Sequence, residues 1–210
     1  MALQLLSLKV ILAVLFPNKE ARTFFATEFG RTSTASLTPA ELDARAAVAS
    51  SWQNFVVNVL FSYVLAAFFE ETLKYMPILY AKHLYPSSDA KPNPRNRAYL
   101  DFALAGALSF GLVENIAFLY QAVEGAGQSW IGLLITAMER LVFASAGHLL
   151  AAALTALKAT SRDFYGQKLS WGQVMMPAMV LHGAQNFVAM SMSATEGNVG
   201  WIHPAGGWNT

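Results

Sequence analysis

Apolar residues along this chain fall into long runs that short polar segments separate. The four longest runs extend from about Ser51 to Ala81, Ala98 to Ala122, Trp130 to Leu157 and Trp171 to Met192. A helix needs roughly 20 residues to cross the hydrocarbon core of a bilayer, and each of these runs reaches that length. The pattern therefore predicts an all-α fold, a polytopic bundle of transmembrane helices.

A shorter apolar run at the start of the chain, from Ala2 to Phe16, is interrupted by Lys9. No basic segment precedes it and no Ala-x-Ala site follows it, so it does not resemble a cleaved signal peptide. We interpret it as a short or truncated first span, which gives about five spans and an expectation that an N-terminal part is missing. The polar stretch Pro17 to Arg45 is expected to be a loop, with a short surface helix after Thr38-Pro39.

The chain therefore divides into three regions. Residues 1–50 are expected to hold the short first span and its polar loop, residues 51–192 the transmembrane core that carries any catalytic residues, and residues 193–210 a Gly-rich, flexible tail. Pro77 is expected to kink the end of the second span. The connections at 83–97 and 158–170 are rich in Lys and Arg, so the positive-inside rule places both in the cytosol.

The composition supports a membrane location and excludes several kinds of protein. Hydrophobic residues make up 55% of the 210 residues and charged residues only 13%, against about 25% charged in soluble domains. The net charge of +1 gives no electrostatic reason to expect a nucleic-acid partner. Cysteine is absent, which excludes disulfides, thiolate metal sites and a cysteine nucleophile.

Ionisable residues occur inside the predicted spans, where each charge is unfavourable by roughly 3 kcal/mol or more. They are Glu70, Glu71, Lys74, Glu114, Glu139, Arg140, His148 and His182. Such residues are tolerated when they converge on a polar site between helices. His83 and His203 lie in a loop and in the tail, and we assign them no role; Glu139 also has none.

Depth along each span tests this convergence. At 1.5 Å per residue, Glu70 and Glu71 lie roughly 16 Å from the cytosolic end, His148 roughly 15 Å and His182 roughly 16 Å. Glu114 and Arg140 lie deeper, both roughly 25 Å from that side. The first set is expected to form one site near the midplane, and the second to form a pair.

The adjacent glutamates are the strongest catalytic candidates, because a carboxylate in a dry site can act as a general base. Lys74 follows Glu70 by four residues and Glu71 by three, which are both pairing distances on a helix. The spacing favours a Glu70–Lys74 pair that leaves Glu71 free. The alternative is a structural ion pair that holds helices together.

The later spans supply groups that could assist such a base. His182 and Asn186 are four residues apart and share a helix face, from which they could donate hydrogen bonds to an oxyanion. Alternatively, Glu71, His148 and His182 could bind zinc with one position open for water. Glu114, with Asn115 beside it, could line the site or balance Arg140. No HExxH, GxSxG or P-loop pattern is present.

The order of these motifs resembles the PrsW family of intramembrane proteases, which is related to the CAAX prenyl endopeptidases and the CPBP (Abi) proteins. The resemblance rests on E-E-x-x-K at Glu70 to Lys74, F-x-x-x-E-N at Phe110 to Asn115, His148 in the next span, and H-x-x-x-N at His182 to Asn186. It covers about 55–190, most of the chain.

The resemblance implies a membrane-embedded endopeptidase that acts on membrane proteins within the lipid bilayer. It implies that Glu70 or Glu71 activates water, with the first glutamate favoured by the relatives, and that His148, His182 and Asn186 support the oxyanion. Related enzymes are metal-independent, so no cofactor is expected, although zinc remains open. Glu114 stands where the prenyl endopeptidases have a histidine, which favours the PrsW branch.

Three other functions remain as alternatives. The first is cleavage of prenylated CAAX proteins, which C-terminal CAAX peptides would test. The second is a proton- or ion-coupled transporter that uses the same Glu and His residues as a relay, although transporters usually show internal repeats and none is visible here. The third is an inactive scaffold, against which the complete set of Glu and His residues argues.

Overall fold

The computed structural model describes residues 2–31, 34, 36–84, 93–125 and 130–200, and the regular structure in them is helical. We number seven helices along these residues. They are α1 Ala2–Leu15, α2 Lys19–Phe29, α3 Pro39–Ala49, α4 Trp52–Leu84, α5 Asn93–Gly125, α6 over residues 130–164, and α7 Trp171–Thr195. The predicted all-α class is confirmed.

Three of the described helices are long and apolar enough to cross a membrane. They are α4, the Arg97–Tyr120 part of α5 and the Leu133–Phe164 part of α6. The apolar part of α1, Leu6–Leu15, is shorter, and α7 is long but not among the three. The protein is thus an integral membrane helix bundle, while the number of five spans stays a prediction.

Two of these helices contain a π-helical segment. In α4 the segment covers Phe61–Phe68 and ends two residues before Glu70, and in α6 it covers Arg140–Ala144. A π turn inserts an extra residue, and such turns are frequent at functional sites. Each segment changes which residues of its helix face the bundle interior, and a regular 3.6-residue period cannot anticipate that change.

The main core lies where the second half of α4 packs against α5, α6 and α7, and small residues dominate it. Its buried members are Tyr75, Ile78, Ala81, Tyr99, Ala103, Ala107, Ala152, Ala156, Ala159, Val174 and Met175. Small residues allow transmembrane helices to approach closely. α4 continues past Pro77 to Leu84, and a Cβ on Gly106 would lie 2.6 Å from Cγ of Pro77.

A polar cluster joins three helices at the end of the bundle that holds this main core. Asp163 of α6 accepts hydrogen bonds from the Tyr99 hydroxyl at 3.0 Å and from Arg162 Nε at 2.7 Å, and Lys82 Nζ lies 3.1 Å from it. Arg162 also donates to the Tyr75 hydroxyl at 2.9 Å. Residues of α4, α5 and α6 are therefore held together next to the two basic connections.

The N-terminal helices form a second core at the opposite end of α4, made of Leu12, Phe16, Phe25, Ala49, Val57 and Val199. The helix expected after Thr38 is present, with a capping box between Thr38 and Glu41. The loop expected over Pro17 to Arg45 is wrong for residues 19–29, because these form α2. Asn18 caps α2 by accepting the Glu20 backbone N–H at 2.7 Å, and burial of Phe25 anchors it.

Arg45 ties this region to the end of the described chain. Its side chain is 1% exposed, pairs with Glu28 and donates to the Val199 carbonyl at 3.0 Å. Ser193 donates to the Gly200 carbonyl at 3.0 Å. Residues 193–200 thus pack on α2 and α3, in contrast to the flexible tail expected from Ser193. The rest of that expected tail, 201–210 with His203, lies outside the described residues.

Candidate active site

Lys74 pairs with Glu71 rather than with Glu70. Its Nζ lies 2.8 Å from Oε1 of Glu71, and the two side chains are 2% and 1% exposed. The expectation that Glu70 pairs with Lys74 and leaves Glu71 free is therefore wrong. Both spacings allow a contact on a helix, and the choice is made by α7, which brings a second donor to Glu71.

That second donor is His182, whose Nδ1 lies 2.7 Å from Oε1 of Glu71. The Glu71 carboxylate is paired with the Lys74 ammonium, and an ionised carboxylate has no proton to donate, so it can only accept from His182. Nδ1 of His182 therefore carries a proton, and in the neutral imidazole Nε2 keeps its lone pair. Nε2 points to Glu70, with 3.6 Å between it and Oε2.

His148 of α6 lies on the other side of Lys74. Its Nδ1 is 2.7 Å from Lys74 Nζ, and its Nε2 is 2.8 Å from Oε2 of Glu114. An ammonium can only donate hydrogen bonds and an ionised carboxylate can only accept them. Nδ1 of His148 therefore accepts from Lys74, and its Nε2 donates to Glu114. Both nitrogens of His148 are thus engaged, and the ring joins α4 to α5.

Glu114 connects this cluster to the deeper layer that was expected from the sequence. Arg140 forms an ion pair with Glu114, as predicted, and its Nε donates to Oδ1 of Asn115 at 3.0 Å. Because His148 also donates to Glu114, the two layers share one carboxylate. The hydrogen bonds run from His182 through Glu71, Lys74, His148 and Glu114 to Arg140, and they link α7, α4, α6 and α5.

Glu70 stands apart from this chain of bonds. Its Oε2 is buried and has no hydrogen-bond partner among the described residues, and its side chain is 12% exposed. It is the carboxylate of the cluster that faces a histidine nitrogen without being held by an ammonium or a guanidinium. An unpartnered buried carboxylate oxygen is unfavourable for folding, and such groups are often explained by function.

Phe110 covers one side of the cluster. Its ring lies under the Lys74 ammonium, with Nζ 4.8 Å from the ring centroid, and its centroid is 5.7 Å from that of His148. The rings of His148 and His182 are themselves 5.5 Å apart and nearly perpendicular. This aromatic packing limits water around the ion pair, which strengthens electrostatic interactions within it.

Asn186 is the predicted site residue that the structure connects least. It is half-buried on α7, one turn after His182, and within the described part of the chain its side chain makes no hydrogen bond to the cluster. His83, at the end of α4, is exposed and remote from these residues.

Two contacts at this site could not be read from the motifs. The Ser145 hydroxyl donates to the Arg140 carbonyl at 3.0 Å and lies 3.3 Å from Nδ2 of Asn115, so it braces the π-helical turn. Gln185 of α7 donates to the Phe143 carbonyl at 3.3 Å. The only sequence signal for either is a polar residue inside an apolar run.

The cluster brings together three groups of the kind that bind metal ions, namely Glu70, His148 and His182, with one potential ligand atom from each within 4.8 Å of the others. The set expected from the sequence named Glu71 instead, but Glu71 is held by Lys74 and His182. Catalytic zinc sites use three protein ligands with free lone pairs. Glu70 and Nε2 of His182 meet this requirement, whereas the lone pair of His148 Nδ1 accepts from Lys74, so a metal ion at this site would require Lys74 to move away from His148.

Comparison with known proteins gives one match. A family model described as PrsW family intramembrane metalloprotease matches residues 21–204. No curated protein matches the chain. No solved structure matches it either.

Proposed function

Since the chain belongs to the PrsW family of intramembrane proteases, we propose that it is a membrane-embedded endopeptidase in which Glu70 activates the water that attacks the peptide bond. The family match covers most of the chain and supports a protease of membrane proteins. The choice of Glu70 as the base rests on the contacts around the two glutamates.

The choice of Glu70 as the base rests on one difference between the contacts of Glu70 and those of Glu71. Oε1 of Glu71 accepts from both Lys74 and His182, so the charge of Glu71 is compensated and this oxygen is held in place, while Oε2 of each glutamate is buried without a hydrogen-bond partner among the described residues. Glu70, in contrast, has no Lys or Arg partner among the described residues, and its Oε2 faces the open nitrogen of His182 at 3.6 Å. A general base needs a lone pair within reach of the proton that it removes, and Glu70 meets this condition.

His182 is proposed to hold the attacking water together with Glu70. With its Nδ1 proton donated to Glu71, its Nε2 can accept one proton of a water while Glu70 accepts the other. The water oxygen then keeps its lone pairs for the substrate carbonyl. Glu70 takes the proton as the C–O bond forms, and it returns that proton to the amide nitrogen when the C–N bond breaks.

The oxyanion needs a donor, and Asn186 is the candidate. Its amide has no partner within the cluster and lies one turn from His182 on α7. A positioned donor of this kind contributes about 10²–10³-fold to the rate. His148, expected to share this role, has both nitrogens in use, so we propose that it positions Lys74 and Glu114 instead.

The proposal is tested by comparing protein N-termini in membranes from cells that carry the wild type, Glu70→Gln or Glu20→Gln at equal expression. Glu20 is an exposed glutamate of α2 and is the matched control for the same chemical change. New termini in or beside transmembrane segments are expected with the wild type and Glu20→Gln, and not with Glu70→Gln. The same termini with Glu70→Gln would contradict Glu70 as the base.

The same comparison separates the main alternatives. Termini at internal positions of membrane proteins support intramembrane cleavage, whereas processing of prenylated C-terminal CAAX peptides alone would support the prenyl-endopeptidase function. The absence of new termini with all three proteins, relative to cells that lack the protein, together with ion flux into liposomes, would favour a transporter.

A further inference from the structure

A second site is formed outside the polar cluster, where α1 faces α2. A cavity of about 630 Å³ lies between the two helices and is lined by Lys9, Leu12 and Ala13 from α1 and by Arg22, Thr23, Ala26 and Thr27 from α2. The lining residues recur at three- and four-residue spacings, so each helix presents one face to the cavity. This volume lies within the usual range for small-ligand sites.

The lining has a distinct chemistry. It contains two cations, Lys9 and Arg22, two hydroxyls, from Thr23 and Thr27, and no carboxylate. Neither cation has an ion-pair partner among the described residues, since the nearby Glu28 is held by Arg31 and Arg45. An uncompensated Arg and Lys beside two hydroxyls match the charge and the acceptor oxygens of a phosphate group.

The surroundings indicate which molecule carries that phosphate. On the same helix, Leu6, Val10 and Val14 form an exposed apolar stripe, with exposed fractions of 60%, 59% and 75%. Val10 and Val14 directly follow the cavity residues Lys9 and Ala13 in sequence, so the stripe borders the cavity. An exposed apolar stripe on a membrane protein is stabilised by contact with acyl chains rather than water.

We propose that the α1–α2 cavity binds the phosphate headgroup of an anionic phospholipid, whose acyl chains lie along Leu6, Val10 and Val14. Lys9 and Arg22 neutralise the headgroup, and Thr23 and Thr27 donate hydrogen bonds to its oxygens. α1 packs on α4 through the N-terminal core, so a bound lipid stabilises the end of α4 opposite the Asp163 cluster. The site is independent of the proposed proteolytic mechanism.

The test uses the full chain purified in detergent, with bound lipid counted by native mass spectrometry. The probes are dioleoylphosphatidylglycerol, dioleoylphosphatidylcholine and, for a free phosphate ester, glycerol 3-phosphate. The variant Lys9→Gln/Arg22→Gln is compared with Lys158→Gln/Lys168→Gln, which removes the same charge from exposed positions remote from the cavity. A basic residue near an anionic surface contributes about fivefold to affinity.

The wild type and the control are expected to prefer phosphatidylglycerol, and the cavity variant to bind it roughly 25-fold more weakly. Ala13→Phe, which places a bulky side chain in the cavity without changing charge, is expected to lose the same preference and serves as the test if the double variant does not fold. An unchanged preference in both cavity variants would overturn the proposal. Equal binding of glycerol 3-phosphate would also overturn it, by assigning the cavity to a soluble phosphate.

Discussion

Nδ1 of His182 on α7 lies 2.7 Å from Oε1 of Glu71 on α4, and this contact decides how the two neighbouring glutamates differ. Glu71 orients the ring and compensates Lys74, so among the described residues Glu70 is left as the carboxylate of this pair without a Lys or Arg partner. The pair resembles the carboxylate–histidine arrangement in which one group fixes the tautomer of the other. The two adjacent glutamates therefore differ in their surroundings: Glu71 is held by Lys74 and His182, and Glu70 is not.

The first prediction concerns stability rather than activity. Glu71→Gln removes the charge that compensates a buried Lys74, and breaking a buried pair lowers stability by about 3–5 kcal/mol. Glu70→Gln removes an unpartnered buried charge, so its stability is expected to equal or exceed that of the wild type. Thermal unfolding in detergent measures both, and an equal loss in the two variants would contradict the assignment of Glu71 as the paired carboxylate.

The second prediction concerns metal. Because both nitrogens of His148 are bonded to Lys74 and Glu114, we expect cleavage of a substrate identified from the N-terminus comparison to continue after dialysis against a chelator. Zinc added back is expected to leave the rate unchanged, and elemental analysis to find far less than one metal ion per chain. Loss of cleavage on chelation, with recovery on adding zinc, would show that His148 exchanges a hydrogen bond for a metal.

The sequence supports much of this site. Ionisable side chains inside a membrane span are energetically unfavourable unless they share a polar site. This predicts that Glu70, Glu71, His148 and His182 converge, and the structure brings them together. The Glu114–Arg140 pair also follows from equal depth. Spacing alone could not decide the partner of Lys74, because three- and four-residue separations are both compatible with a contact, and the deciding atom lies 111 residues away in His182.

The fold was predictable to a similar extent. Long apolar runs identify α4, α5 and α6, but the π-helical segments Phe61–Phe68 and Arg140–Ala144 have no composition that distinguishes them from regular helix. α2 was missed because its sequence is mixed in charge and lacks an apolar run. Its signals, the Asn18 cap and Phe25, become meaningful only with Leu12, Phe16 and Val57 packed nearby.

The third prediction uses pH and the buried pair outside the spans. Hydrogen bonds from Arg31, and then from Arg45, hold the pKa of Glu28 below its usual value. A lowered pKa in the folded protein adds stability above the unfolded value, about 4.3, and this stability is lost as pH falls through the folded pKa. Glu28→Gln is therefore expected to lower stability by about 2 kcal/mol at pH 7.

The control is the pH dependence of the difference in unfolding free energy between the wild type and Glu28→Gln. Unfolding of the wild type and Glu28→Gln is compared from pH 7 down to the acid range. The gap between them is expected to narrow as pH falls from the unfolded pKa of about 4.3 through the lowered pKa of the folded protein, since Glu28 is then protonated first in the unfolded chain and finally in the folded protein. A gap that stays constant with pH would show that packing of the side chain, rather than its charge, stabilises this end of the bundle.

The fourth prediction concerns the close approach of α7 to α4 beside His182. A Cβ on Gly183 would lie 2.3 Å from Cδ1 of Tyr63, whereas a Cβ on Gly172 of the same helix would have nothing within 4 Å. Overpacking of this kind lowers stability by about 1–3 kcal/mol, and it would push His182 away from Glu71. Gly183→Ala is thus expected to lower both thermal stability and cleavage, while Gly172→Ala leaves cleavage intact and stability equal or higher by up to about 1 kcal/mol. Equal behaviour of the two variants would show that the contact with Tyr63 does not set the position of His182.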